Sequence, residues 1–125
     1  MENVGEFKMQ NNDLWQILEQ QIRANGIAID RPKGKAHPRF PDLIYPIDYG
    51  YIPHTRSADG EGMDVFLGTS ERKQIVGLIC TFDGTKKDSE IKVLYACREE
   101  EIQTAMAMLS HPPMHALLVR RQSFP

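Results

Sequence analysis

The stretch "YPIDYGYIPHTRSADGEGMDVFLG", Tyr45 to Gly68, decides how this chain is read. Pro46 and Pro53 bracket a short apolar and aromatic run, so the spacing predicts an extended piece over Tyr49-Ile52 and no helix. "MDVFLG" then alternates, with Met63, Val65 and Leu67 on one face and Asp64 and Phe66 on the other, as a strand requires. Between them Asp59, Glu61 and Asp64 stand among the glycines at 60 and 62. Asp-Gly pairs serve turns very often. Clustered carboxylates also suit hard cations such as Mg²⁺, which take oxygen ligands. The stretch alone is compatible with both.

Downstream, "QIVGLICTF" is apolar almost throughout, as a strand covered on both faces would be. "EIKVLYAC" sets Ile91, Val93, Tyr95 and Cys97 against Glu90 and Lys92. The connection between them, "DGTKKD", carries a second carboxylate pair, Asp83 and Asp88. Unpaired carboxylates gathered at one end of a sheet repel one another, and a bound cation relieves them. "REEEIQTAMAMLSHPP" predicts a helix with glutamates at its N-terminus, where the dipole favours them, ended by Pro112-Pro113. "HALLVRR" predicts a last short strand.

Upstream, "NDLWQILEQQIRANG" predicts a helix whose Leu14, Ile17, Leu18 and Ile22 form the apolar stripe, stopped at Gly26. Trp15 reads as its anchor on the core or across a subunit interface. "GIAIDRPKG" predicts a short strand and turn. Residues 1–11 are polar and read as a flexible N-terminus, leaving 12–125 as one domain.

A 125-residue chain that is 41% hydrophobic and 26% charged has the composition of one soluble globular domain. The net charge of −2 offers no basic excess for phosphate backbones, so no nucleic-acid partner is expected. No apolar run approaches the ~20 residues of a membrane helix, and the N-terminus lacks a signal peptide's pattern, so a cytoplasmic location is expected. Cys80 and Cys97 lie in strand-like runs without metal-ligand spacing and read as buried thiols. His37, His54, His111 and His115 show no zinc-like spacing.

Tyr-Pro, two residues, Tyr-Gly-Tyr-Ile, then His-Thr and Asp-Gly-x-x-x-Asp closely resembles the soluble family I inorganic pyrophosphatases, whose stretch runs roughly YPxNYGYIxxT and then DGDPxD. Asp83 and Asp88 match that family's second acidic pair, and the "IDRP" at 29–32 its early acidic strand. The resemblance implies an α+β fold, a small five-stranded OB-like β-barrel with an N-terminal and a C-terminal helix. It implies hydrolysis of pyrophosphate by a metal-activated water, with Mg²⁺, or Mn²⁺ in its place, and a homo-oligomer. By position, Asp59, Asp64, Asp83, Asp88 and Asp30 become metal ligands and Glu61 the catalytic base. Tyr49, Arg39, Lys33, Lys35 and Arg31 become substrate-binding residues.

Three departures stand out. Glu61 replaces the family's middle aspartate, Gly62 its proline, and Glu90 a phosphate-gripping lysine for which Lys86, Lys87 or Lys92 could substitute. The link from "RPKG" to "YP" is also short. These departures leave two alternatives open: a non-catalytic metal-phosphate or nucleotide-binding module, and a hydrolase of another phosphoanhydride.

Overall fold

The computed structural model of the protein describes residues 13–122, so the N-terminal stretch 1–11 lies outside the described residues. In chain order come helix α1 (Asp13–Asn25), strands β1 (Ala28–Arg31), β2 (Asp48–Ile52), β3 (Met63–Leu67), β4 (Ile75–Asp83) and β5 (Asp88–Tyr95), helix α2 (Glu99–Leu109) and strand β6 (Met114–Arg120). The class is α+β, as expected. The five-stranded barrel needs correcting: six strands form one sheet in the order β1-β2-β3-β5-β4-β6, with β1 and β6 at its edges. The residues themselves carry six strand signals, and the last, "HALLVRR", pairs with β4 along its whole length.

Neighbouring strands run antiparallel except β3 and β5, which are parallel. The sheet is thus two antiparallel blocks, β1-β2-β3 and β5-β4-β6, joined along one parallel seam. Tight packing in the first block explains the glycine of Tyr-Gly-Tyr. A Cβ on Gly50 would collide with the Ala28 carbonyl and come within 2.8 Å of the Ile29 Cα. Only glycine lets β1 and β2 approach so closely.

Both faces of the sheet are covered. On one face Tyr49, Phe66, Ile79 and Leu94 pack against Ile102, Ala105 and Leu109 of α2. On the other, Ile52, Val65, Ile75, Leu78 and Val93 pack against Leu18 and Ile22 of α1, with Trp15 at the margin. Leu14 and Ile17 stay about half exposed, so only part of the predicted stripe docks. Glu19 ties α1 to the second block by accepting from the Ile75 N–H at 2.8 Å and from Arg121 at 2.7 Å. Arg120 meets Glu99 through two 2.7 Å hydrogen bonds, so both terminal arginines serve the scaffold. Cys80 and Cys97 are free thiols, and burial pushes the Cys97 thiol up to about 12.

Strand β5 departs from simple alternation of burial. Ile91 is 48% exposed while Lys92, on the opposite face, is 6% exposed. Side chains alternate as predicted, but at this end the face carrying α2 turns from apolar core into a polar site.

Candidate active site

Strand register builds the site. On the α2 face, the row Phe66–Leu94 is followed by Asp64 beside Lys92, then Glu90 opposite Thr81, then Asp88 opposite Asp83. The core thus runs continuously into a cavity of about 620 Å³. Its walls include Asp30, Asp59, Glu61, Asp64, Asp83, Asp88 and Glu90, together with Arg31, Arg39, Lys86, Lys92 and Tyr49. Every acidic residue singled out from the sequence lines this cavity. Tyr49, Arg31 and Arg39 do as well, whereas Lys33 and Lys35 are exposed outside its lining.

The two acidic loops use one device. In the first, Asp59 Oδ1 accepts from the Ser57 hydroxyl at 2.6 Å and from the Glu61 N–H at 2.9 Å, and Gly60 N–H closes the turn on Ser57 O at 2.9 Å. In the second, Asp83 Oδ1 accepts from the N–H groups of Thr85 at 2.8 Å and Lys86 at 3.0 Å. Each aspartate spends one oxygen holding its own turn and leaves Oδ2 for the cavity, where Asp83 Oδ2 lies 3.8 Å from Arg39. The Ser57 hydroxyl and then the Glu61 N–H lower the Asp59 carboxyl below its ordinary value. The Lys86 N–H lowers Asp83, aided by the Thr85 N–H and Arg39 against a cost of burial. Turn and site are therefore the same residues. Gly62 is not slack: a Cβ there would lie 2.8 Å from the Tyr51 ring and 3.2 Å from Ile52 O.

Lys92 is the centre of the inner end. Its Nζ donates to Tyr49 OH at 2.8 Å, Asp64 Oδ2 at 2.9 Å and Glu90 Oε1 at 3.3 Å. Burial opposes its charge, but these three partners outweigh that and raise its pKa, so it stays an ammonium. Tyr49 is raised mainly by burial and remains a phenol. Glu90 is also raised, first by burial and then by neighbouring Asp64, with Lys92 opposing. Around this centre, Arg31 donates to Tyr45 OH at 2.6 Å and lies over the rings of Tyr45 and Tyr49. His37 stacks on Tyr45, with ring centroids 6.0 Å apart, and its Nδ1 accepts from the N–H groups of Arg39 and Phe40. Burial, then Arg31 and Arg39, lower its pKa and favour neutral imidazole.

Hard carboxylate oxygens around one cavity have the right chemistry for Mg²⁺-type ions. Among the described residues, however, no three His, Cys, Asp or Glu side chains stand close enough to make a ready-built cage. Mg²⁺ commonly takes one or two carboxylates and completes its shell with water and substrate phosphate, so separate carboxylates on one cavity wall have the chemistry it uses. Sequence reasoning missed the pairing of Glu90 with Lys92, and it read His37 only as one basic member of the 31–39 stretch, either a solvated loop or the phosphate-facing side of the site. The signal available was the Glu-x-Lys spacing, which puts both on the face of Asp88.

A sheet protein whose carboxylates and guanidinium groups face one another across a cleft has the donor set of a site for a multiply charged anion. More specifically, the chain belongs to the inorganic pyrophosphatase family, whose model matches residues 23–120. It is 28% identical over 93 residues to a soluble inorganic pyrophosphatase of Oryza sativa subsp. indica, covering 68% of this chain and 42% of that protein. It is 29% identical over 104 residues to the inorganic pyrophosphatase of Vibrio vulnificus, covering 73% of this chain and 59% of that one. The chain therefore spans roughly two-fifths to three-fifths of these curated relatives. The crystal structure of the Thermus thermophilus inorganic pyrophosphatase superposes with a TM-score of 0.57 at 19% identity, over 76% of this chain and 81% of that one. That of Neisseria gonorrhoeae gives 0.56 at 17%, over 78% and 84%. These two show likeness of fold. No helix among the described residues is long and apolar enough to cross a membrane.

Proposed function

We propose that this chain hydrolyses inorganic pyrophosphate to two phosphates with Mg²⁺, for which Mn²⁺ can substitute. The observation that carries this reading is the convergence of Asp59, Glu61, Asp83 and Asp88 with Arg31, Arg39 and Lys86 on one cavity. Bound divalent ions would offset the substrate's charge and bring a water's pKa towards neutrality. Asp59, Asp64, Asp83 and Asp88, with Asp30, line the cavity and would supply oxygens to such ions. Glu61, exposed at the cavity edge, takes the proton of the attacking water. It lines the cavity from a loop whose turn is held by Asp59, which fixes its backbone beside the site. Arg31, which lies over the Tyr49 ring, and Arg39 bind the phosphate oxygens. Lys33 and Lys35 stand outside the cavity and are assigned no contact.

The cation at Lys92 has no donor left for phosphate, since an ammonium has three N–H bonds and all three have partners. Of the candidate replacements for the family's lysine, Lys86 lines the cavity and Lys87 does not. A homo-oligomer forms part of the proposal, supported by the exposed Leu14, Ile17 and Leu117.

A second cavity, of about 330 Å³, favours a second reading. Phe40, Leu43, Met108, Pro112 and Met114 line it, and it shares His37, Arg39, Phe40, Asp83 and Met114 with the first. Pyrophosphate, wholly anionic, gains nothing from apolar walls, whereas the organic group of a nucleoside diphosphate would.

Phosphate release from pyrophosphate by the purified chain with Mg²⁺ tests the leading reading. Turnover should fall about 100-fold in Asp88→Asn, the scale of losing one electrostatic contact to the transition state. Glu61→Asp should alter kcat more than KM. Absence of turnover in the wild type with Mg²⁺ or Mn²⁺ rejects hydrolysis.

A further inference from the structure

We infer that His37 is a positioning residue, whose Nδ1 fixes the tip of a short loop so that Arg39 faces the cavity and meets the phosphate oxygens of a bound anion. The inference rests on the phosphate-binding role proposed above for Arg39. In "HPRFP", residues 37–41, a proline stands on each side of the pair Arg39-Phe40. Proline carries no N–H, so between the two prolines the backbone has just two donors. Both go to one acceptor: His37 Nδ1 takes the Arg39 N–H at 3.0 Å and the Phe40 N–H at 3.3 Å. These two groups belong to the peptide planes before and after the Arg39 Cα, so anchoring both sets the direction in which Arg39 leaves the backbone. The base of the loop is closed by the backbone itself, through a bridge between Ala36 and Ile44 and a 2.8 Å bond from the His37 N–H to Leu43 O.

The two arginines of the cavity are held by different means. Arg31 belongs to strand β1 and donates to the Tyr45 hydroxyl. Arg39 lies outside any strand, and its side chain is 47% exposed. Its guanidinium lies 3.8 Å from Asp83 Oδ2 and 5.3 Å from the Phe40 ring centre. Those contacts are loose for a long side chain, so its backbone has to aim it. The imidazole that does so is braced in turn by stacking on buried Tyr45, with 8° between the ring planes. Two substitutions separate the acceptor from the ring. Asparagine carries Oδ1 on Cγ, as histidine carries Nδ1, and commonly accepts from the N–H two residues on. Phenylalanine keeps a ring to stack and has no acceptor.

The experiment is steady-state hydrolysis of pyrophosphate by the full chain with Mg²⁺, beside calorimetric Kd values for imidodiphosphate with Mg²⁺. His37→Phe should raise KM and Kd about tenfold with kcat within about twofold, the pattern of lost uniform binding. His37→Asn should hold KM and Kd within about threefold of wild type, because the acceptor is restored. In an Arg39→Ala background, His37→Phe should change neither by more than about twofold, since its effect passes through Arg39. If His37→Phe does not fold, His37→Leu, which also lacks the acceptor, takes its place. Near-wild-type KM and Kd without the acceptor overturn the inference, as does an Asn variant as weak as the Phe variant or an undiminished loss in the Arg39→Ala background. If the wild type hydrolyses no pyrophosphate but the Kd values keep this order, the functional reading fails and the role of His37 stands. If the wild type binds no imidodiphosphate, both fall.

Discussion

Replacing Lys92 with methionine removes a charge while keeping most of the apolar stem that packs beneath the site. It leaves Asp64, Glu90 and the Tyr49 hydroxyl without their donor. Deleting one partner of a fully buried ion pair costs about 3–5 kcal/mol. Here Asp64 and Glu90 keep 24% and 34% of their side chains exposed, so water recovers part of that and about 2–3 kcal/mol is expected. For a domain of this size each kcal/mol moves Tm by about 4 °C, giving a fall of about 8–12 °C. The assay is thermal unfolding by circular dichroism at pH 7 with a chelator present. A urea titration alongside it should show the midpoint moving and the slope unchanged. The double variant Lys92→Met/Asp64→Asn should regain more than half of the loss, because the stranded carboxylate is then neutral. A fall below about 3 °C, or a double variant no better than the single, would refute the idea that the ammonium is held mainly by these acids.

Other outcomes are equally specific. Gly50→Ala should destabilise by about 3 kcal/mol, at the top of the overpacking range, because the obstructing atoms are backbone; a urea midpoint near wild type contradicts the close approach of β1 and β2. Arg120 and then Gln103 lower the Glu99 carboxyl to about 2. Its folded pKa lies below its unfolded one, so its stabilisation is complete above about pH 4.3 and is lost as pH falls towards 2. The Tm gap between wild type and Glu99→Gln should therefore close across that window, whereas a constant gap would deny the ion pair a role. Filling the apolar cavity with Leu43→Trp should cut turnover of adenosine diphosphate about tenfold while leaving pyrophosphate turnover near wild type. If wild type releases no phosphate from adenosine diphosphate, the second reading falls.

Elements with strong local signals were legible in the sequence. Helix α1 ends where Gly26 stops the pattern, its N–H bonding to Ile22 O. Strand β4 reads as apolar throughout because α1 and α2 cover its two faces. The acidic loops were legible as a choice between turn and site, which Asp59 and Asp83 resolve by serving both. What could not be read was set by long-range pairing. The parallel partnership of β3 and β5 puts Asp64 beside a lysine 28 residues away, and no local pattern announces it. The same cause hid the burial of Lys92, since a lysine in an alternating strand ordinarily faces solvent. The strand count failed differently: six strand signals were present, and the family resemblance implied five.

The parallel seam has a consequence for folding. Asp59 and Asp64 belong to the first antiparallel block, and Asp83, Asp88 and Lys92 to the second, so neither block carries a complete site. Both ion pairs in the cavity wall that involve these aspartates, Asp64 with Lys92 and Asp83 with Arg39, cross from one block to the other. The chain that joins the blocks, 68–74, is shorter than the connections inside the first block, 32–47 and 53–62, so it keeps the blocks close at little entropic cost. The electrostatics of the cleft therefore exist only where the two blocks are docked. An anion or cation that binds there touches both halves and so favours the docked, folded state by mass action.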